Sequence, residues 1–131
     1  MVVVDTSALI SLLKGRDTPA ARRVENLSWR GDSILFPLIV CQELLQGARD
    51  TAEWKLIEEY LSTQEVIEPL HGWDSYRDAA RIYFDLRKKG LTVRSSQDCL
   101  IAQLAIERGI PLLHEDRGFE TIAKVRPLRF A

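Results

Sequence analysis

The stretch Val2-Val3-Val4-Asp5-Thr6-Ser7-Ala8-Leu9-Ile10 decides the architecture. Three consecutive valines are stiff, β-favouring residues and predict a short strand. Asp5-Thr6-Ser7 then supplies helix-starting side chains ahead of an apolar run through Leu13, which Gly15 stops. A strand that runs straight into a helix is the repeating unit of a parallel sheet. The pattern recurs downstream. Thr18-Pro19 predicts a helix to about Trp29, Gly31-Asp32 turns into a strand at Ser33–Phe36, and Pro37 starts a helix ending near Gly47. Residues 51–62 place Trp54, Ile57 and Leu61 at helical spacing opposite Glu53, Glu58 and Glu59. Glu65–Ile67 predicts a brief strand closed by Pro69.

From Trp73 to Lys89, the residues Trp73, Tyr76, Ala80, Tyr83 and Phe84 form one apolar stripe, and Gly90 follows as the stop. Ser95/Ser96 cap a mostly apolar helix from Gln97 to Arg108. Ile110–Leu113 predicts a buried strand and Arg126–Leu128 a last one. The expected fold is therefore α/β, with a central, mostly parallel sheet flanked by helices in a single domain over residues 1–131.

Composition agrees with that class. A chain of 131 residues, 46% hydrophobic and 28% charged, is neither disordered nor fibrous. Its apolar runs fall short of the roughly 20 residues a membrane span needs. No basic segment followed by a long apolar one stands at the start, so no secretory leader is expected. Cys41 and Cys99 lie outside any metal-binding spacing and read as reduced thiols of a cytoplasmic protein. The net charge of −1 hides an uneven distribution: residues 51–75 sum to −5 and residues 76–131 to +4. A basic half suits a nucleic-acid-facing side, although charged helix surfaces are common anyway.

Parallel sheets bind ligands outside the carboxyl ends of their strands. That rule draws four acids together. Asp5 follows the first strand, and Asp116 follows the strand ending at Leu113. Glu43 lies in the helix after Ser33–Phe36, and Asp98 begins a helix whose preceding loop returns to the same rim. Clustered carboxylates repel one another unless protonated or bound to cations. An oxygen-only donor set suits Mg²⁺ or Mn²⁺ rather than zinc, and such ions activate water in phosphodiester hydrolysis. Each acid also has a plain structural use: Asp5 and Asp116 as caps, Asp98 in a capping box three residues after Ser95, Glu43 as a solvated helix residue.

The segments VVVDTSALI (Val2–Ile10), QELLQG (Gln42–Gly47), RKKGLTVRSSQDCLIAQLA (Arg87–Ala105) and LLHEDRGFETIA (Leu112–Ala123) resemble PIN-domain ribonucleases. More narrowly, they resemble the VapC-type toxins of bacterial toxin–antitoxin pairs. The resemblance implies a divalent-metal-dependent endoribonuclease with Asp5, Glu43, Asp98 and Asp116 as its metal-binding catalytic site and Ser7 as a polar neighbour. It also implies a homodimer, an RNA substrate and a small antitoxin partner. One departure stands out: the family often carries a further acid two residues after Asp116, where this chain has Gly118.

Arg87, Lys88, Lys89 and Arg94 are candidate RNA contacts, because an acidic site repels phosphates unless nearby cations offset it; none of them is expected to affect metal binding. Two other classes fit the residues less well. A phosphoryl-transfer enzyme using Asp5 as nucleophile would want a second Asp where Ser7 stands. A non-catalytic binding module would use its acids only as caps.

Overall fold

The computed structural model describes residues 1–131. Its elements are β1 (Val2–Val4), α1 (Thr6–Leu13), α2 (Pro19–Arg30), β2 (Ile34–Pro37), α3 (Leu38–Gln46), α4 (Thr51–Ser62), β3 (Glu65–Ile67), α5 (Trp73–Lys88), α6 (Ser96–Arg108), β4 (Leu112–Leu113) and α7 (Arg117–Ala123). The strands form one all-parallel sheet in the order β3-β2-β1-β4. The first strand thus lies inside the sheet, with Val3 opposite Leu35 on one side and Leu112 on the other.

Local signals explain the boundaries. Thr18 Oγ1 accepts the Ala21 N–H, Pro19 fills the first helical turn, and Gly31 ends α2 at φ 73°. That positive φ strains any residue with a Cβ. Val3, Val4, Phe36, Ile101, Leu112, Phe119 and Ile122 are fully buried in one core. Helix α6 contributes Cys99, Ile101, Ala102, Leu104 and Ala105 to the interior and packs against α5 and α7. Edge strand β3 exposes Glu65, whose charge opposes pairing with another chain. No helix is long and apolar enough to cross a membrane.

Four expectations need correction. Arg126–Leu128 is not a strand; beside β4 the chain makes only one parallel bridge, Leu112 to Phe130. Residues 117–123, unassigned from the sequence, form α7. Pro37 closes β2 opposite Ile67 and precedes the first turn of α3 rather than entering it. Most consequential is the aromatic stripe of α5: Trp73, Tyr76, Tyr83 and Phe84 are exposed, and Ser75, Ala79, Ile82 and Leu86 face inward. The period was legible but the face was not. Ser75 belongs inside because its hydroxyl donates to the buried Glu107 carboxylate at 2.8 Å and accepts the His71 N–H.

Candidate active site

An all-parallel sheet sends every strand's carboxyl end to the same edge. Asp5 leaves β1 there, α3 with Glu43 follows β2, and His114-Glu115-Asp116 leaves β4. Loop 89–95 brings α6 and Asp98 to that edge. Asp5, Glu43, Asp98 and Asp116 all line one cavity of about 300 Å³, together with Ser7 and Arg94.

The acids do cap helices, but in a way that leaves oxygens over. Asp5 Oδ2 accepts the Ser7 N–H at 3.0 Å and the Ser7 hydroxyl at 2.6 Å. Asp116 Oδ1 accepts the Gly118 N–H at 2.9 Å at the start of α7. Glu43 Oε2 accepts from Thr6 Oγ1 at 3.1 Å. Asp98 does not close a capping box: the Ser95 hydroxyl accepts the Gln97 N–H, and Asp98 Oδ2 is buried without a partner.

Burial first, and then the charges of Asp5, Asp116 and Glu43, push the Asp98 carboxyl up to about 7. Burial also raises Asp5 and Glu43, against the lowering effect of their bonds to Ser7 and Thr6. A cation in the cavity would relieve all three at once.

A hard divalent ion fits the chemistry of this donor set. The acids offer only oxygen, one buried oxygen is orphaned, and Gly118 keeps a Cβ from crowding two carboxylates. A Cβ at position 118 would stand 3.3 Å from Asp116 Oδ1 and 3.4 Å from Asp98 Oδ2, tight enough to crowd both. The four side chains face one cavity without forming a preformed cage of three ligands.

Sequence reasoning missed several neighbours. Ser7 Oγ, while donating to Asp5, accepts the Glu115 N–H at 2.9 Å, so the β1 and β4 ends are tied through one hydroxyl. Ser11 donates in turn to the Glu115 carboxylate. Arg16, from the loop after α1, also lines the cavity. His114 is neither ligand nor surface residue. Its ring lies 4.5 Å from Phe130 and 5.1 Å from Phe119, and its Nδ1 accepts the Asp116 N–H at 3.0 Å. That bond needs a neutral ring with its proton on Nε2, and burial accordingly holds the imidazole below the usual histidine range.

The basic candidates separate into two places. Arg94 enters the acid cavity and pairs with Asp116 Oδ2 at 3.1 Å. Lys88 and Lys89 instead line a second cavity of about 310 Å³ with Lys124, Arg126 and Asp85. Arg87 and Lys88 lie over the Phe84 ring, 6.0 Å and 4.9 Å from its centre. Of the second cavity's cations, Arg126 is held by Asp85 at 2.7 Å.

Comparison with known proteins bears on the fold and its family. Residues 2–125 match the PIN domain family. The chain is 34% identical over its whole length to VapC ribonuclease Mb1587 of Mycobacterium bovis and to ribonuclease VapC11 of Mycobacterium tuberculosis, spanning 98% of each. Among solved structures, VapBC-1 from nontypeable Haemophilus influenzae superposes with a TM-score of 0.75 at 24% identity, covering 100% of this chain and 97% of that one. VapBC2 from Rickettsia felis gives 0.73 at 20% identity, covering 100% and 98%. At such identities the structures attest the fold, and the mycobacterial relatives narrow the family. The chain belongs to the PIN-domain family, within its VapC group.

Proposed function

We propose that this chain is a divalent-metal-dependent endoribonuclease, the toxin of a toxin–antitoxin pair, whose residues 1–131 act as one nuclease domain. The observation that carries the reading is the convergence of four carboxylates from distant segments on one cavity, with an orphaned Asp98 oxygen among them. The names of the mycobacterial relatives, both ribonucleases, support the reaction class.

Asp5, Asp98 and Asp116 would hold Mg²⁺ or Mn²⁺, the metals suited to oxygen donors that act on phosphodiesters. When bound, the ion neutralises the scissile phosphate and lowers the pKa of water. Glu43 would orient that water and take its proton through the carboxylate oxygen that Thr6 leaves free. Ser7 holds Asp5 in register with the β4 end.

RNA would enter over the basic side, with Lys88, Lys89 and Lys124 holding phosphates beyond the cut and Arg87 nearby. Replacing those three lysines by alanine is expected to weaken RNA binding across sequences and to flatten its salt dependence by about 0.7 log units per lost contact. Fluorescence anisotropy over a salt series checks this; an unchanged slope assigns the lysines to plain solvent exposure.

The exposed aromatics Trp73, Tyr76 and Phe84 of α5, with half-exposed Trp54, give apolar surface for a second copy and for an antitoxin segment. Buried, unpaired Cys41 and Cys99 suit the reducing cytoplasm where such a pair acts. The deciding experiment is incubation with total cellular RNA, with and without Mn²⁺, followed by mapping of new 5′ ends. Discrete, Mn²⁺-dependent ends that vanish in Glu43→Gln are expected. Ends that persist in chelator and in the variant overturn the proposal.

A further inference from the structure

We infer that Arg94 is a built-in counter-ion of the acid cavity, which a divalent cation displaces from Asp116 and which then turns to the RNA phosphates. The inference rests on the metal-dependent reading above. Asp116 has one oxygen committed to the Gly118 N–H, and Arg94 Nη2 holds the other. The guanidinium thus stands on the oxygen that a metal would need. Around it, Asp5, Glu43, Asp98 and Glu115 add four more carboxylates to the same cavity. A hard divalent ion needs only one or two of these carboxylates and keeps several waters, so the Asp116 oxygen that Arg94 holds is one it would compete for.

The exchange is mechanically easy. The Arg94 side chain is 86% exposed and makes a single contact to Asp116, not a two-pronged one. It stands on the segment between α5 and α6, outside any helix or strand, with buried Val93 before it and the α6 cap Ser95 after it. Exposed pairs of this kind contribute little, so a doubly charged ion can compete with Arg94 for the same oxygen. Once released, the guanidinium remains at the mouth of the cavity, where a phosphate is its natural partner. Arg94 therefore opposes the metal and assists the substrate. This revises the expectation that the basic side chains leave metal binding untouched.

Opposite signs make the inference testable. Calorimetric titration with Mn²⁺ should show Arg94→Ala binding about two- to fivefold more tightly than wild type, the scale set by loss of one exposed pair. In a Glu43→Gln background, which prevents cleavage, Arg94→Ala should bind a single-stranded RNA oligonucleotide more weakly in saturating Mn²⁺. Lys88→Ala/Lys89→Ala removes two charges outside the cavity and should weaken RNA binding with Mn²⁺ affinity unchanged. If wild type binds Mn²⁺ and cleaves RNA but Arg94→Ala does not tighten Mn²⁺, the counter-ion role is wrong and the nuclease reading stands. If the lysine variant tightens Mn²⁺ as much as Arg94→Ala, a general field is responsible and the exchange is likewise wrong. If wild type binds no Mn²⁺ and cleaves in chelator, the nuclease reading itself fails.

Discussion

Asp98→Asn is expected to lower RNA cleavage about a thousandfold, the rate equivalent of roughly 4 kcal/mol of lost transition-state stabilisation. The same change should make the metal-free protein more stable at neutral pH. Asp98 titrates near 7 in the folded chain because burial and three neighbouring carboxylates disfavour its charge, against 3.8 for an ordinary Asp. The folded state then binds the proton more tightly than the unfolded state, so this group makes stability fall as pH rises from about 4 to about 7. Asparagine has no such charge. The gap between variant and wild type should open across that window and level off above it at about 2 kcal/mol, after allowance for solvent near the partly exposed group. Urea unfolding in chelator at pH 5 and pH 8 measures it. A variant less stable than wild type at pH 8 would mean that Asp98 serves α6 as a cap. Saturating Mn²⁺ should reverse the order, because only wild type gains the ion's binding energy.

Phe119→Ala should remove about 3–5 kcal/mol, a large share of the 5–15 kcal/mol that keeps a typical domain folded. Phe119 is completely buried in α7 and packs on the His114 ring, whose Nδ1 holds the Asp116 N–H. Its loss opens a void beneath the last carboxylate as well as in the core. Phe84→Ala, on the exposed face of α5, should cost only about 1 kcal/mol, the loss of the cations stacked on its ring. Parallel urea titrations compare the two. Equal losses would place the α5 aromatics inside after all.

That pair of phenylalanines also marks what the sequence could tell. In α5 both stripes recur at helical spacing, and composition favours the aromatic one. Its true inner face holds a serine, an alanine and two aliphatics, because Ser75 meets a carboxylate that comes from α6. No local pattern encodes such a distant partner. Helix α7 was illegible for another reason: it is short, and Asp116 serves as both its cap and a cavity acid. A rule about strand ends in parallel sheets suggested that the four carboxylates converge, and the family resemblance named them as one site, although Glu43 and Asp98 sit inside helices. The Arg94–Asp116 pair and the Ser7–Glu115 tie were not readable, since they depend on where loop side chains settle.

The tie between Ser7 and Glu115 has a temporal meaning. Its partners are 108 residues apart in sequence, nearly the length of the chain. On a ribosome adding about 5–20 residues per second, β1 waits roughly 5–20 s for the strand that completes its sheet. Asp5, Glu43 and Asp98 all emerge before Asp116, so a nascent chain carries most of the acids while the cavity is still open on one side. The order of synthesis delays the finished pocket until the last segment arrives. A nuclease-family chain thereby lacks its complete acid cavity through most of its own synthesis.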